Sequence, residues 1–426
     1  MKEYRVEIER KGRRVPVGTI SGEDTVSARF RYLDSYLEDP DAAPVSVSLP
    51  LQGDAFSPSQ TRNYFEGLLP EGFTRHSVAG WMHIDEDDYL SILYGLGREC
   101  IGALCITGDE DNAAEAYEKI SSEDVKRLAA EGATTSAELV TKAHLSLTGA
   151  SGKVGLYYDS RENSWYLPAG SAPSTHIVKQ SHIRLDSIVT NEQLCMMIAG
   201  RCGIPVPQTF IINTGSARDE EVLFASERYD RSFGEDPDLI SGLPRPFRLH
   251  QEDFGQALGI PAVRKYENEP QRYLRRMFDL LRKYSSDPIR DQLTLWDCIV
   301  FDYLIGNTDS HVKNFSLLYS ADLHSLRLAP VYDILSTAVY ESSTRDMAFY
   351  IGDKITLDEI TADSFRMAAA EAGLGGKMAM RRMEEMCSVF EAALRESTER
   401  LSEQGFVRAE ELAERIRQNG GVRYLC

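Results

Sequence analysis

The chain has 426 residues, too many for one simple core, which predicts two or three domains. Its 42% hydrophobic content suits a soluble globular protein, and 47 basic against 66 acidic residues leave a net charge of −19. Such a surface repels bare nucleic acid and anionic membrane and suits a basic partner. The seven cysteines (100, 105, 195, 202, 298, 387 and 426) show no CxxC spacing and no signal peptide is read, which predicts reduced thiols and a cytoplasmic chain. The eight scattered histidines form no HExxH or His-x-His set, so no zinc site is expected. No apolar stretch approaches the ~20 residues of a membrane span, so no membrane partner is expected.

In chain order, Tyr4–Arg10 and Arg14–Ile20 predict two strands joined at Lys11-Gly12-Arg13, and Val26–Tyr32 predicts a third. Pro44–Leu51 and Tyr64–Glu71 lead into helical stretches reaching about Tyr94. This is a small α+β unit, placed at 1–107, and the acidic run Gly108–Glu115 opens a linker and helical segment over 108–142. From 143 to 250 the β pattern returns at His144–Leu147, Val154–Tyr158, Ser164–Leu167, His176–Lys179, Gln208–Asn213 and Val222–Tyr229. One helix, about Val189–Arg201, interrupts it and stops at Cys202-Gly203-Ile204-Pro205. A sheet with one embedded helix is what the smaller lobe of a kinase looks like. The remainder, 251–426, predicts helices at 251–257, 270–283, 288–305, 361–372, 378–400 and 407–418, with strand pieces at 315–319 and 326–328. Met383, Cys387, Phe390 and Leu394 recur on one helical face, the pattern of core packing.

Four segments carry candidate chemistry. The run Thr148, Gly149, Ala150, Ser151, Gly152, Lys153 lies between two strands, where small residues let backbone N–H groups approach phosphate oxygens. A glycine hairpin explains the same run taken alone. A Walker motif is excluded, because Leu147 stands where its first glycine belongs and Val154 where its Ser or Thr belongs. Lys179 ends a strand and is placed to reach the α/β-phosphates, as the third-strand lysine of protein kinases does. A strand-end lysine reaching into water is the plain alternative. Glu192 on the following helix is its candidate ion-pair partner. Glu227, Arg228 and Tyr229 follow a strand where a hinge between lobes falls, with backbone groups for an adenine edge and a tyrosine face. A charged strand exit with surface arginines fits them equally well.

The fourth segment is the most specific. Gly306-Asn-Thr-Asp-Ser-His-Val-Lys-Asn-Phe-Ser316 places Asp309 and Asn314 at D-x4-N spacing, and Ala329-Pro-Val-Tyr-Asp333 follows a short strand pair. Phosphoryl transfer uses one carboxylate to orient the attacking hydroxyl, with an amide and a second carboxylate to hold Mg2+. Asp309 takes the first role, and Asn314 and Asp333 the second. His311 and Lys313 share the loop, close enough to touch phosphates.

At these residues the chain resembles the HipA family, serine/threonine kinase toxins of bacterial type II toxin–antitoxin modules. Val45–Leu51, Phe65–Glu71, Cys100–Leu104, Arg248–Phe254 and Met347–Gly352 also resemble family motifs, so the resemblance runs nearly the full length. It implies an α+β, two-lobed protein-kinase-like fold, related to phosphoinositide kinases, with an N-terminal subdomain and a mostly helical C-terminal lobe. It implies ATP and Mg2+ as cofactors and Asp309 as the catalytic aspartate. Thr148 to Lys153, Lys179, Glu227 to Tyr229, His311, Val312, Lys313, Asn314, Tyr332 and Asp333 would line the nucleotide. Ser146 looks like the loop serine that family members autophosphorylate, and Thr148, two residues on, is a second acceptor. A dianion there would repel the ATP phosphates and switch the site off. The family commonly has a glutamine where Ser151 stands, and Gly152 loosens the loop before Lys153. The resemblance also implies a HipB-like helix-turn-helix antitoxin as partner, operator DNA reached only through that complex, and a substrate among aminoacyl-tRNA synthetases. A small-molecule kinase, or a nucleotide-binding corepressor acting with a DNA-binding partner, are the alternative readings.

Overall fold

The computed structural model describes residues 2–108, 114–131, 152–181 and 185–426. The chain forms two compact units: Met1–Gln180 with Ala225–Ala262 and Leu318–Leu326, and Ser181–Phe224 with Val263–Leu317 and Arg327–Cys426.

The first unit opens on β1 (Lys2–Arg10), β2 (Arg13–Gly22) and β3 (Arg29–Tyr32), which with β4 (Leu104–Thr107) make an antiparallel sheet in the order β3-β2-β1-β4. Lys11 and Gly12 both take positive φ (51° and 77°) at the β1–β2 turn, the conformation that matches the twist of a two-residue hairpin. The register shifts where Pro16 faces Glu7, because proline brings no N–H to the ladder. The third strand starts three residues later than the sequence predicts. Asp24 Oδ1 accepts from the N–H groups of Val26 (3.1 Å) and Ser27 (2.8 Å), which holds a turn where the strand was expected. Helices α1 (Pro58–Phe65), α2 (Gly72–Met82) and α3 (Tyr89–Leu96) follow β3. Phe30, Tyr32, Phe56 and Phe65 pack ring on ring in the core between them.

Downstream, β5 (Ala116–Lys119) precedes helix α4 (Ser122–Glu131), and β6 (Lys153–Asp159), β7 (Ser164–Ala169) and β8 (His176–Gln180) run with it in the order β5-β7-β6-β8 within a six-stranded sheet. The stretch read as a linker thus carries an edge strand of this sheet. The helix expected at 251–257 is a correction. Gln251–Asp253 is a strand, and only Phe254–Ala257 is helical, started by an Asp253 capping box with Gln256. All three strand residues are buried and polar, and Glu252 is held by Ser46, Val47 N–H and Tyr319, so fixed partners override helical periodicity.

The second unit is mostly helical: α5 (Ile188–Arg201), α6 (Tyr273–Tyr284), α7 (Pro288–Ile305), α8 (Ala362–Glu371), α9 (Gly376–Glu403) and α10 (Arg408–Asn419). Strand β9 (Thr209–Asn213) precedes β10 (Val222–Glu227), which begins in this unit and ends in the first. A hairpin of Asp346–Ile351 and Lys354–Thr356 was not anticipated. Trp296 and Tyr303 on α7 meet Phe365 of α8 edge to face, and Trp296 Nε1 donates to Ala379 O at 3.0 Å. The expectation of seven reduced thiols is corrected here. Cys387 and Cys426 are disulfide-bonded, 39 residues apart, because the C-terminal turn packs back where α9 passes. No described helix is long and apolar enough to cross a membrane.

Candidate active site

The centre of the candidate site lies within the second unit, at the end of α7. Asp287 caps this helix with Pro288 in its first turn, and Gly306 ends it at φ 70°. A Cβ on Gly306 would stand 2.6 Å from Ala338 Cβ, so both backbone and packing require glycine here. The next ten residues are buried except Asp309, which is exposed. Asn314 Nδ2 donates to the Asp309 carbonyl at 2.9 Å, and His311 N–H reaches the same carbonyl at 2.8 Å. The D-x4-N spacing thus closes a compact turn. With its nitrogen spent on that bond, Asn314 presents its amide oxygen on the opposite side.

A buried carboxylate supports the loop from below. Asp302, one turn before the helix end, accepts from Asn307 Nδ2 (2.9 Å) and Ser310 Oγ (2.6 Å). Asn307 Oδ1 in turn accepts from Asp309 N–H at 3.3 Å. Burial pushes the Asp302 carboxyl up to about 7, against the lowering effect of these two donors. Tyr332 pins the loop's far end, its hydroxyl donating to Lys313 O (3.0 Å) and sharing a bond with Ser316 Oγ (2.7 Å).

Asp333 follows at φ 59°, a left-handed conformation that costs a non-glycine residue about 1 kcal/mol or more and clusters at working sites. The imidazole of His311 is held well below its ordinary pKa, first by burial and then by Lys265 and Lys313, while Asp333 acts the other way. That coupling places Asp333 in the electrostatic neighbourhood of the Asp309–Asn314 loop. Among the described residues no three His, Cys, Asp or Glu side chains gather as a metal cluster. An amide and a carboxylate oxygen are donor types that suit Mg2+, which takes few protein ligands and leaves the rest to phosphate and water.

The first unit holds other predicted residues. Lys153 and Lys179 are direct cross-strand partners on β6 and β8, so both side chains leave the same face of the sheet. Two lysines at one cross-strand position suit a polyphosphate. Arg228 is turned elsewhere. Its guanidinium is buried against Glu99 (3.1 Å to each oxygen), Asp230 (2.9 and 2.8 Å) and Ser174 (2.9 Å), and its N–H donates to Thr175 O. Its carbonyl accepts from Arg231 N–H at 3.2 Å and keeps one lone pair for a second donor. Tyr229 donates its hydroxyl to Gln251, and Glu227 is exposed at the strand end. Glu192 is buried on α5, in the other unit from Lys179. Ser146, Thr148, Gly149, Ala150 and Ser151 lie outside the described residues.

Comparison of the chain with known proteins bears on its family and fold. Residues 12–107 match the HipA N-terminal domain and residues 145–394 the HipA-like C-terminal domain. The chain belongs to the HipA family. Within it, "Putative kinase Y4mE" of Sinorhizobium fredii is 34% identical over 83% of both chains. "Serine/threonine-protein kinase toxin HipA" of Shewanella oneidensis is 26% identical over 78% of this chain and 75% of its own length. The solved Shewanella oneidensis complex of HipA, HipB and operator DNA contains the same fold, with a TM-score of 0.76 at 21% identity over 97% of both chains. The α+β, HipA-like expectation is therefore met.

Three residues of this candidate site were not found by sequence reasoning. Tyr266 donates its hydroxyl to Asp309 Oδ1, and no spacing marks it. Asn191 on α5 holds the chain just past Asp333. Asp302 did leave a signal, being the lone acid in the apolar run Ile299–Ile305.

Proposed function

We propose that this chain is an ATP- and Mg2+-dependent serine/threonine protein kinase, the toxin of a type II toxin–antitoxin module. The observation that carries the reading is the exposed Asp309 on an otherwise buried loop, its carbonyl clasped by Asn314, with Asp333 electrostatically coupled to His311 in that loop. Asp309 would accept the proton of an incoming Ser or Thr hydroxyl and align its oxygen on the γ-phosphorus. Asn314 and Asp333 would hold Mg2+, which when bound offsets charge on the phosphate oxygens. Lys153 and Lys179 would grip the triphosphate with the backbone of residues 148–152, and the Arg228 carbonyl would meet the adenine edge. Neutral His311 would donate to phosphate without adding charge. Autophosphorylation would fall on Ser146 or Thr148.

A HipB-like helix-turn-helix partner is supported by the family and by the net charge of −19, which favours a basic protein and leaves operator DNA to that partner. A substrate among aminoacyl-tRNA synthetases rests on the resemblance alone. The test is incubation of the pure chain with labelled ATP and Mg2+, followed by mass spectrometry of the phosphorylated residues. Label on Ser146 or Thr148, lost in Asp309→Gln, supports the reading; no label on the chain or on any lysate protein removes it. Induced expression of wild type should arrest bacterial growth and Asp309→Gln should not.

A further inference from the structure

We propose that Tyr266 is a gate on the acceptor seat of Asp309, occupying Oδ1 of this exposed carboxylate until a protein hydroxyl displaces it. The inference rests on the kinase reading above and deepens it. The Tyr266 hydroxyl donates to Asp309 Oδ1, the interaction an acceptor hydroxyl needs before it attacks. Its ring stands edge-on to His311 at 5.2 Å, and Lys265 Nζ lies 5.3 Å from the ring centroid on the same short segment. Tyr266 is itself 38% exposed, so an incoming chain can reach it.

The neighbouring residue makes this placement firm. Glu267 is 2% exposed, and its carboxylate accepts from the N–H groups of Gln271 (2.6 Å), Tyr273 (3.1 Å) and Tyr350 (3.1 Å). Its own N–H donates to Ala348 O at 2.8 Å. The segment is thereby riveted to the start of α6 and to the strand Asp346–Ile351. Swinging the phenol away needs only side-chain rotation, while the backbone stays fixed. Oδ1 is open to another hydroxyl only when the phenol leaves. In its absence water takes the seat: its oxygen bonds to the γ-phosphorus, the bond from that phosphorus to ADP breaks, and its proton passes to Asp309. The products are ADP and inorganic phosphate, and the phosphoryl group is wasted.

The experiment measures ADP released per phosphate incorporated into the chain itself, for wild type, Tyr266→Phe and Tyr266→Ala. Tyr266→Phe removes one oxygen and leaves a water-sized gap beside Asp309, so the ratio rises roughly tenfold, the worth of one such contact. Tyr266→Ala raises it further. A merely structural tyrosine would lower both quantities together and leave the ratio alone, which overturns the gate, as does phosphate found on Tyr266. A thermal double-mutant cycle of Tyr266→Phe with Asp309→Asn reads the contact without turnover; coupled shifts support it and additive shifts overturn it. Wild type that neither labels itself nor releases ADP removes the kinase reading and the gate together, whereas active wild type with an unchanged ratio removes the gate alone.

Discussion

The side-chain amide of Asn191 closes on both backbone groups of Ser336, its Oδ1 accepting from the N–H at 3.1 Å and its Nδ2 donating to the carbonyl at 2.8 Å. Nδ2 also reaches the Tyr340 hydroxyl at 3.1 Å. Ser336 Oγ donates to Ile305 O, and Thr337 N–H to Gly306 O, at the end of α7. One amide on α5 therefore ties the chain past Asp333 to the helix that launches the Asp309 loop.

Asn191→Ala strands a buried N–H and a buried carbonyl, each costing about 1–3 kcal/mol. The expected outcome is a lower Tm and a several-fold rise in the Mg2+ needed for half-maximal activity, since Asp333 loses its support. Asn191→Asp keeps the acceptor and recovers part of both. A Tm loss with an unchanged Mg2+ titration would show that Asn191 stabilises the fold without positioning Asp333.

Asp302 predicts a pH effect. Its folded carboxyl is pushed up to about 7 by burial, while an unfolded aspartate titrates near ~3.9. Between those values the native chain holds a proton that the unfolded chain has lost. The stability from this group is therefore full below ~3.9 and disappears as pH rises through 7. Glu252, also pushed to about 7 by burial, adds a slope of the same sign, so the test is a difference. Asp302→Asn should lose its share of the slope, its Tm falling less steeply than wild type from pH 5 to 8. Its new amide would face the Asn307 amide and disturb the oxygen that holds Asp309 N–H. A roughly ten- to hundredfold fall in kcat with little change in ATP KM is expected. Parallel pH slopes for the two proteins would refute the assignment.

What the sequence made legible follows from distance along the chain. Asp309, His311, Lys313 and Asn314 lie within six residues, so the turn that Asn314 closes on the Asp309 carbonyl is local in the sequence. The α7 boundaries were equally plain, with Asp-Pro at one end and Gly at the other. Tyr266 and Asn191 gave no such hint, because each acts only after tertiary packing delivers it to a partner dozens of residues away. Gln251–Asp253 misled for a related reason: buried polar side chains with fixed partners leave no apolar period to count. Arg228 left a nucleotide contact and a surface arginine equally open, and its side chain is almost wholly buried.

The Cys387–Cys426 bond encloses 39 residues of sequence separation, including the end of α9 and all of α10. Loop-closure entropy for such a span stabilises the oxidised chain by about 4 kcal/mol. Dithiothreitol should lower the Tm of wild type, whereas Cys426→Ser should start lower and not respond. Intact mass under non-reducing conditions, two daltons (about two hydrogens) below the reduced chain, checks the bond directly. An identical Tm with and without reductant would count against it.

Arg228 and Lys179 were assigned to the same nucleotide pocket, and the structure separates their expected failures. Arg228 is about 1% exposed and joins Glu99 and Asp230 in a cluster that also contains Arg231. Removing one member leaves buried carboxylates short of positive charge, which costs about 3–5 kcal/mol. Arg228→Met should lose much of its Tm, and any fall in ATP binding should track the unfolded fraction. Lys179 stands opposite Lys153 across the strand pair and is only half-buried, outside the Glu99–Asp230 cluster. The Tm of Lys179→Met should fall by far less than that of Arg228→Met while ATP affinity drops roughly tenfold or more, because a charge-assisted contact to phosphate is lost. Thermal melting and nucleotide titration on both variants decide the matter. If Lys179→Met binds ATP as wild type does, the lysine pair is an ordinary strand surface and the triphosphate must be gripped elsewhere.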